Sequence, residues 1–386
     1  MRIGLDALPL VPPRTGIGPY TFELGRALAL AAPSHEFEFV SPFSLDTLLE
    51  PNADENLPAN LNITHLKTRA LRKPWWPMGL PFYVRQSALS LFHGTNYHVP
   101  LWAGCPTVNS IHDLSPLLYP ATHEPRLVAR ARRRLPLMAR SATMIVTDTE
   151  SVRREVCRHL GVEPGKVAAV HIAPRRVFRS MHGEEARETR RRLGVEDEFL
   201  LYVGTIEPRK NLLTLVRALD EILRATDLRP QLVIAGKKGW LTDELFAYIG
   251  ASGVGERICF TGYVSDEDLR ALYSTCRVCV YPSLYEGFGL PPLEAMACGA
   301  PVVGSRIPSL VETLGSAALL CDPTDFRALA ASITRLLGDA DHRRRLSVAG
   351  MERAKAFTWE QTARATLKVY QEALERKGKM AARGIV

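Results

Sequence analysis

Two carboxylates eight positions apart, Glu286 and Glu294, flank Gly287-Phe288-Gly289 in the stretch YEGFGLPPLEAMACGAPVV. Pro291 and Pro292 suit the first turn of a helix, and Gly299 ends it after barely two turns, so an N-terminal helix end faces outward. Such an end, next to a glycine loop that lets backbone approach a ligand closely, suits an anion. A carboxylate does not. Glu294, placed in the first turn and facing the strand ends, is instead expected to accept hydrogen bonds from hydroxyls, for which a ribose diol is the usual partner. Glu286 would then address a second polyhydroxy group across the phosphates. The plainer alternative has Glu294 complementing the helix dipole and Glu286 exposed.

Two further stretches converge on phosphate. In YVGTIEPRKNLLTLVRAL a strand ends at Gly204 and a helix is expected to begin near Lys210. Arg209 and Lys210 therefore lie where the helix dipole disfavours cations unless an anion compensates, which points to a diphosphate clamp rather than a solvated basic turn. In RTGIGPYTFELGRALAL, Gly16 and Gly18 precede Pro19 at another helix start. The pattern G-x-G-x-x-T lies too far from its strand to be a dinucleotide fingerprint, and a structural loop explains it equally well. Helix end and basic turn for a diphosphate, with acids for hydroxyls on either side, outline a nucleotide-sugar site.

These residues need elements to hold them. At 386 residues, two domains of roughly 180 residues are expected. The share of 46% apolar and 23% charged residues is that of a globular protein, and no apolar run of about 18 residues could span a membrane. MRIGLDALPL reads as a first strand and not as a signal peptide. Seven scattered cysteines suit a reduced, cytoplasmic chain, and the lone C-x-x-C of Cys276 and Cys279 lacks the second pair a zinc site needs. β-like runs alternate with amphipathic segments: RIGLDA, FEFVS, NITHL, LFHG, PTVNSIHD and MIVTD, then FLLYVGT, QLVIAG, ICFTG, VCVYPS, PVVGS and ALLCD. That alternation predicts parallel sheets covered by helices, with chemistry at C-terminal strand ends. The weakly periodic stretch at 180–195 marks the boundary, giving domains 1–180 and 181–357. Residues 358–386 carry a capping box, Thr358 to Gln361, and a long amphipathic helix expected to pack back on the first domain.

Glu-x7-Glu within YPSLYEGFGLPPLEAMACGAPVVGS resembles the signature of the retaining glycosyltransferases of family 4. GTIEPRKNL, VIAGKKGW, FTGYVSDEDLRALY and IHDLSPLLYP are also similar to that family, particularly its mannosyltransferases of bacterial surface-polysaccharide assembly. The resemblance covers nearly the whole chain. It implies an α/β chain of GT-B fold, two doubly wound Rossmann-like domains facing a central cleft, with the first binding acceptor and the second a nucleotide sugar. It also implies that Glu294 binds the ribose hydroxyls and that Glu286 binds the donor sugar near its 3- and 4-hydroxyls. The Gly287, Phe288, Gly289 and Leu290 backbone would contact sugar and phosphate, and Arg209 and Lys210 the diphosphate. His112 would reach the donor's 6-hydroxyl, although a lone histidine is ordinarily a satisfied strand-end cap. Gly16 and Gly18 would face the phosphates. One departure stands out: many members carry arginine directly after the strand-end glycine, where this chain has Thr205. In HGTNYHVP, His93, Asn96 and His98 follow another strand, and His93 and Asn96 are acceptor candidates.

No metal or other cofactor is expected. Asp266-Glu267-Asp268 contains a D-x-D, yet SDEDLRALY reads as a capping box from Ser265 to Asp268. The donor expected from the resemblance is GDP-mannose, with UDP-, ADP- or dTDP-sugars as alternatives and a nucleotide-sugar epimerase as the rival activity. The net charge of +8 is concentrated in residues 1–180, which hold 21 basic and 14 acidic side chains (+7) against 28 and 27 (+1) in 181–386. No nucleic-acid module accompanies it. From Asn56 to His112 there is no acid, and Lys67, Arg69, Arg72, Lys73 and Arg85 surround Trp75, Trp76, Phe82 and Tyr83. Arg126, Arg130, Arg132, Arg133, Arg134 and Arg140 follow. Adjacent tryptophans between prolines suit a membrane interface, and basic residues suit an anionic leaflet. The expectation is peripheral binding to the cytoplasmic face of the inner membrane and a lipid-linked glycan acceptor.

Overall fold

The structure is a computed structural model that describes residues 1–11, 16–45, 57–65, 72–181 and 183–382. The chain runs through β1 (Arg2–Asp6), α1 (Ile17–Ala31), β2 (Glu36–Ser41), β3 (Leu61–His65), α2 (Leu80–Gln86), β4 (Leu91–Gly94) and β5 (Thr107–Ser110). Next come α3 (Ser115–Leu118), α4 (Pro125–Ser141), β6 (Met144–Thr147), α5 (Glu150–Leu160) and β7 (Val167–Ala169). A second series holds α6 (Glu184–Arg192), β8 (Phe199–Val203), α7 (Leu212–Ala225), β9 (Gln231–Ala235), α8 (Asp243–Ser252), β10 (Ile258–Gly262) and α9 (Asp266–Thr275). It continues with β11 (Val278–Tyr281), α10 (Leu290–Ala297), β12 (Val302–Ser305), α11 (Pro308–Leu314), β13 (Leu319–Cys321), α12 (Phe326–Gly338) and α13 (Ala340–Lys355). The last helix is α14 (Trp359–Ala382).

The local chemistry explains the helix starts. The side chains of Thr149 and Ser265 accept hydrogen bonds from the backbone N–H of Val152 and Asp268 at 3.2 and 3.1 Å, capping α5 and α9. Thr358 does the same for Gln361 at 3.2 Å, just ahead of α14. Strands such as β6, β11 and β12 are buried along their whole length, as strands covered on both faces must be.

The chain divides into two compact units, one comprising Met1–Leu114, Arg130–Ile172 and Thr358–Val386, the other Ser115–Ala129 and Ala173–Phe357. In the first, a seven-stranded sheet has the order β3-β2-β1-β4-β5-β6-β7, with every pairing parallel. In the second, six parallel strands have the order β10-β9-β8-β11-β12-β13. The strand order reverses direction at β1/β4 and at β8/β11, and ligands of doubly wound sheets sit outside the carboxyl ends of strands at such points.

Two boundaries differ from expectation. The crossing falls at 172/173 rather than 180/181. Residues 173–181 are bonded into the second unit, with Ser180 Oγ donating to the Cys298 carbonyl at 3.1 Å and the Met181 N–H to Ser274 Oγ at 2.9 Å. The charged stretch expected to mark the boundary holds α6, which packs on α9 and buries only Ala186, so its periodicity is faint. Residues 115–129 also belong to the second unit: the Trp240 indole N–H donates to the Thr122 carbonyl at 2.9 Å, and Tyr119 lies 5.2 Å from Tyr285 between ring centroids. Helix α14 packs along α1 in the first unit, and its Thr362 hydroxyl donates to the His171 carbonyl at 2.7 Å.

Candidate active site

In the second unit, β8 and β11 are adjacent and parallel, so the loops leaving their ends meet. The loop after β8 closes as one tight turn, Pro208–Lys210, and Asn211 then takes a left-handed conformation (φ 58°) before α7 begins. The helix therefore starts two residues later than Lys210. Asn211, which sequence reasoning passed over, fastens the two loops. Its side-chain amide donates to the carbonyls of Pro282 at 2.9 Å and Pro323 at 2.7 Å. The backbone N–H of Leu284 also donates to the Arg209 carbonyl at 2.9 Å.

This fastening brings Arg209, Lys210 and Glu286 together. Lys210 Nζ donates to Glu286 Oε1 at 2.7 Å and to the Tyr281 hydroxyl at 2.8 Å. Arg209 lies 3.2 Å from Glu286 Oε2, donates to Glu207 at 2.6 Å and to the Tyr285 carbonyl at 2.9 Å. Burial alone would raise the Glu286 pKa, but Lys210 and then Arg209 outweigh it and bring it down to about 2. Burial lowers the Lys210 pKa, and Glu286 only partly offsets this. The carboxylate stays ionised across the working pH range, and the two cations are held by acids before any ligand arrives. Such preorganised charge can stabilise a developing diphosphate without reorganising during the reaction.

Glu294 lies on α10, which begins at Leu290, so it falls in the second turn and not the first. Gly289 precedes the helix at φ 86°, where a side chain would also collide with Leu310; only glycine serves there. Phe288 turns its ring inward, edge-on to Phe357 at 5.6 Å, leaving the backbone of the Gly287–Leu290 turn to approach a ligand. Glu294 is 4% exposed, and burial raises its pKa to about 7 although Arg175 pulls the other way. Arg175 Nε donates to Glu294 Oε1 at 3.1 Å and its NH1 group to Asp266 at 2.6 Å. Nothing in APRRVF marks Arg175 out. The D-x-D acids are engaged too, Asp266 by Arg175 and Asp268 by Arg192. Among the described residues no group of three or more His, Cys, Asp and Glu is arranged to hold a metal ion.

In the first unit His112 sits just past β5. Its Nδ1 is 2.9 Å from Asp148 Oδ2 and its Nε2 2.9 Å from the Thr95 carbonyl oxygen. Both neighbours are acceptors, so the site favours a ring that donates from both nitrogens. Burial opposes the charge of such a ring, but Asp148, with help from Thr95 and Asp113, raises the pKa. Tyr20 and Tyr97 meet the ring edge-on at 4.6 and 5.6 Å. A sugar hydroxyl taken by Nε2 would have to displace the Thr95 carbonyl.

His93 is corrected. It is fully buried, with Nδ1 on the Tyr370 hydroxyl at 2.7 Å and Nε2 on Ser110 Oγ at 2.8 Å, and burial lowers its pKa to about 3. It is a neutral core residue and cannot touch an acceptor. Asn96 is half-buried, and its carbonyl accepts from His98 Nδ1 at 2.8 Å. Gly16 is exposed at the start of α1, whereas Gly18 is buried inside that helix. Thr205 is exposed, and its carbonyl accepts from the Tyr202 hydroxyl at 3.2 Å.

Two parallel-sheet Rossmann-like units define the GT-B class. Solved structures of that class match the chain throughout. Sucrose-phosphate synthase from Thermosynechococcus elongatus does so at a TM-score of 0.73 and 24% identity, covering 96% of this chain and 98% of that one. WaaG, a glycosyltransferase involved in lipopolysaccharide biosynthesis, does so at a TM-score of 0.70 and 14% identity, covering 97% and 99%. Residues 185–353 match the glycosyl transferases group 1 model and residues 14–172 the Glycosyltransferase Family 4 model. The chain belongs to this glycosyltransferase family. It is 31% identical to the O-antigen chain mannosyltransferase B of Escherichia coli over 96% of this chain and 100% of that one. It is also 30% identical to the serotype-specific mannosyltransferase WbdA of Escherichia coli, over 70% of this chain and 34% of that one. The chain is a glycosyltransferase.

Proposed function

We propose that this glycosyltransferase moves mannose from GDP-mannose, with retention of anomeric configuration, to a lipid-linked or polysaccharide acceptor in bacterial surface-glycan synthesis. The observation that carries the reading is the Glu286 carboxylate, buried and ionised between Lys210 and Arg209 beside the turn that opens α10. Glu286 takes the sugar hydroxyls, Lys210 and Arg209 the diphosphate, and Glu294 the ribose diol. Mannose and its surface-glycan acceptor are supported by the mannosyltransferase relatives, one of them alignable along its whole length.

Thermal denaturation with GDP, UDP, ADP, dTDP and their sugars tests the donor. A ligand at a hundred times its Kd adds about 2.7 kcal/mol to the stability and thereby a few degrees to the melting temperature. GDP and GDP-mannose are expected to give that shift; a shift confined to another nucleotide would replace the donor. An epimerised donor formed without acceptor would favour the epimerase. Because cationic side chains take the leaving diphosphate's charge, transfer is expected to continue in excess EDTA, and strict manganese dependence would overturn the metal-free scheme.

The membrane part of the proposal rests on a different surface from the one the tryptophan pair suggests. Trp75 is 3% exposed in a cluster with Val40, Leu80, Val84 and Phe92, and Trp76 stacks on His98 at 4.2 Å. The tryptophan pair is therefore core and not a dipping loop, while Lys67 and Arg69 lie outside the described residues. Exposed Met78, Phe82 and Trp102 remain, with Arg130, Arg132, Arg133, Arg134 and Arg140 exposed on α4. Among the described residues no helix is long and apolar enough to cross a membrane. Each basic side chain near an anionic leaflet contributes about 1 kcal/mol. The protein is expected to sediment with anionic liposomes at low salt and to be released at high salt. Equal binding to neutral and anionic vesicles, or none, would favour an acceptor free of lipid.

A further inference from the structure

The nucleotide grip has a member that neither the sequence motifs nor the family likeness assigns. We infer that Arg175 is the positioning residue for Glu294, its guanidinium holding that carboxylate in one orientation so that it can take the vicinal hydroxyls of a nucleoside. The inference rests on the reading of Glu294 as the hydroxyl acceptor, and its test separates the two.

A buried acid on a helix lined with apolar residues has little reason to stay ionised. The titratable groups acting on Glu294 are few. Tyr273 of α9 and Cys298 after α10 are neutral at working pH, their own pKa values pushed up by burial. On α13, which packs along α10, Arg353 is turned to the carbonyls of Glu312 and Thr313 on α11. Arg175 supplies the positive charge and Asp266 the opposing one.

Arg175 is well fixed for the task. Its guanidinium lies over the Phe178 ring at 4.6 Å, and the Phe178 N–H donates to the Arg175 carbonyl at 3.0 Å. The head is shared: Nε serves Glu294 and NH1 serves Asp266, the first residue of α9. Arg175 reaches Glu294 through Nε and through its own backbone, so one residue orients the carboxylate from two points. Burial raises the Glu294 pKa and Asp266 adds a little to that, while Arg175 opposes both. The geometry thus ties α9 and α10, which follow β10 and β11, through one side chain.

The test reads the Glu294 carboxyl directly in ligand-free protein by carbon-13 NMR of glutamate-labelled samples, its signal assigned by its loss in Glu294→Gln. Arg175→Met is expected to move the midpoint up by about one pH unit or more, and Arg175→Lys to leave it near wild type. Asp266→Asn, which removes the opposing charge, is expected to move it down, and it keeps the test alive if Arg175→Met does not fold. Unmoved midpoints in these variants would overturn the inference. Calorimetry with GDP supplies the second readout. Arg175→Met is expected to weaken binding about tenfold at pH 7 and to recover by pH 9. An equal loss at both values would make Arg175 a packing residue or a direct ligand contact, and would also overturn it. If the midpoints move as stated but Glu294→Gln binds GDP like wild type, the hydroxyl reading of Glu294 fails while Arg175 keeps its hold on the carboxylate.

Discussion

Lys210→Met is expected to lower sugar transfer about a hundredfold or more, with a smaller effect on binding of the free nucleotide. The ammonium is buried, and it is the shorter of the two cationic contacts to Glu286, at 2.7 Å against 3.2 Å for Arg209. Methionine keeps the length and the packing but removes the charge. Two consequences follow together. The diphosphate loses a cation at the moment its charge grows, and Glu286 is left with one cation and a higher pKa. A hydrogen bond to a charged group is worth about 1.5–3 kcal/mol, and the share felt only in the transition state lowers kcat and not affinity. Initial rates of nucleoside diphosphate release, measured on a variant with a wild-type melting curve, check this. A rate within about threefold of wild type would remove Lys210 from the chemistry.

Glu294→Gln is expected to weaken nucleotide binding by about tenfold to a hundredfold at pH 8 and to flatten its pH dependence. In the ligand-free protein Glu294 titrates at about 7. Below that value it is protonated and a poorer acceptor for a diol, so wild-type affinity should rise with pH through about 7, by up to tenfold per unit on the acid side. Glutamine has no such step. The sign for stability is opposite. Between the unfolded glutamate value and about 7, the folded chain holds a proton that the unfolded chain has released, so this group's contribution to stability falls as pH rises through that window. Calorimetry from pH 6 to 9 separates the cases, and equal affinities for wild type and variant at pH 8 would end the ribose assignment.

Much of this architecture was legible. β-branched and aromatic runs marked twelve of the described strands, most clearly those such as β6, β11 and β12 that are buried along their whole length. The missed one, β7, is three residues long, Val167–Ala169, too short for a pattern. Glu286 and Glu294 could be singled out because acids beside glycine and proline turns invite a reason. Their partners could not. Lys210 lies 76 positions from Glu286 and Arg175 119 positions from Glu294, and no local rule connects residues so distant. Arg209 and Lys210 looked like free cations awaiting phosphate, and pairing with acids is a property of packing alone. His93 looked accessible because polar residues follow it, yet it lies on β4, buried between β1 and β5. The tryptophan pair misled for a similar reason: prolines marked a turn without telling which way it faced.

Helix α14 has a consequence for how the protein is made. Its Tyr370 bonds His93 at the centre of the first sheet, and its length lies along α1, so the first unit is completed by the final stretch of the chain. A ribosome must translate residues 173–357 between finishing β7 and supplying that helix. At about 5–20 residues per second this takes on the order of ten to forty seconds, during which the part of α1 that meets α14 has no cover. The second unit is continuous over most of its length and can mature in that interval. The amino-terminal half is synthesised first and finished last, which makes it the part that most needs chaperone protection during translation.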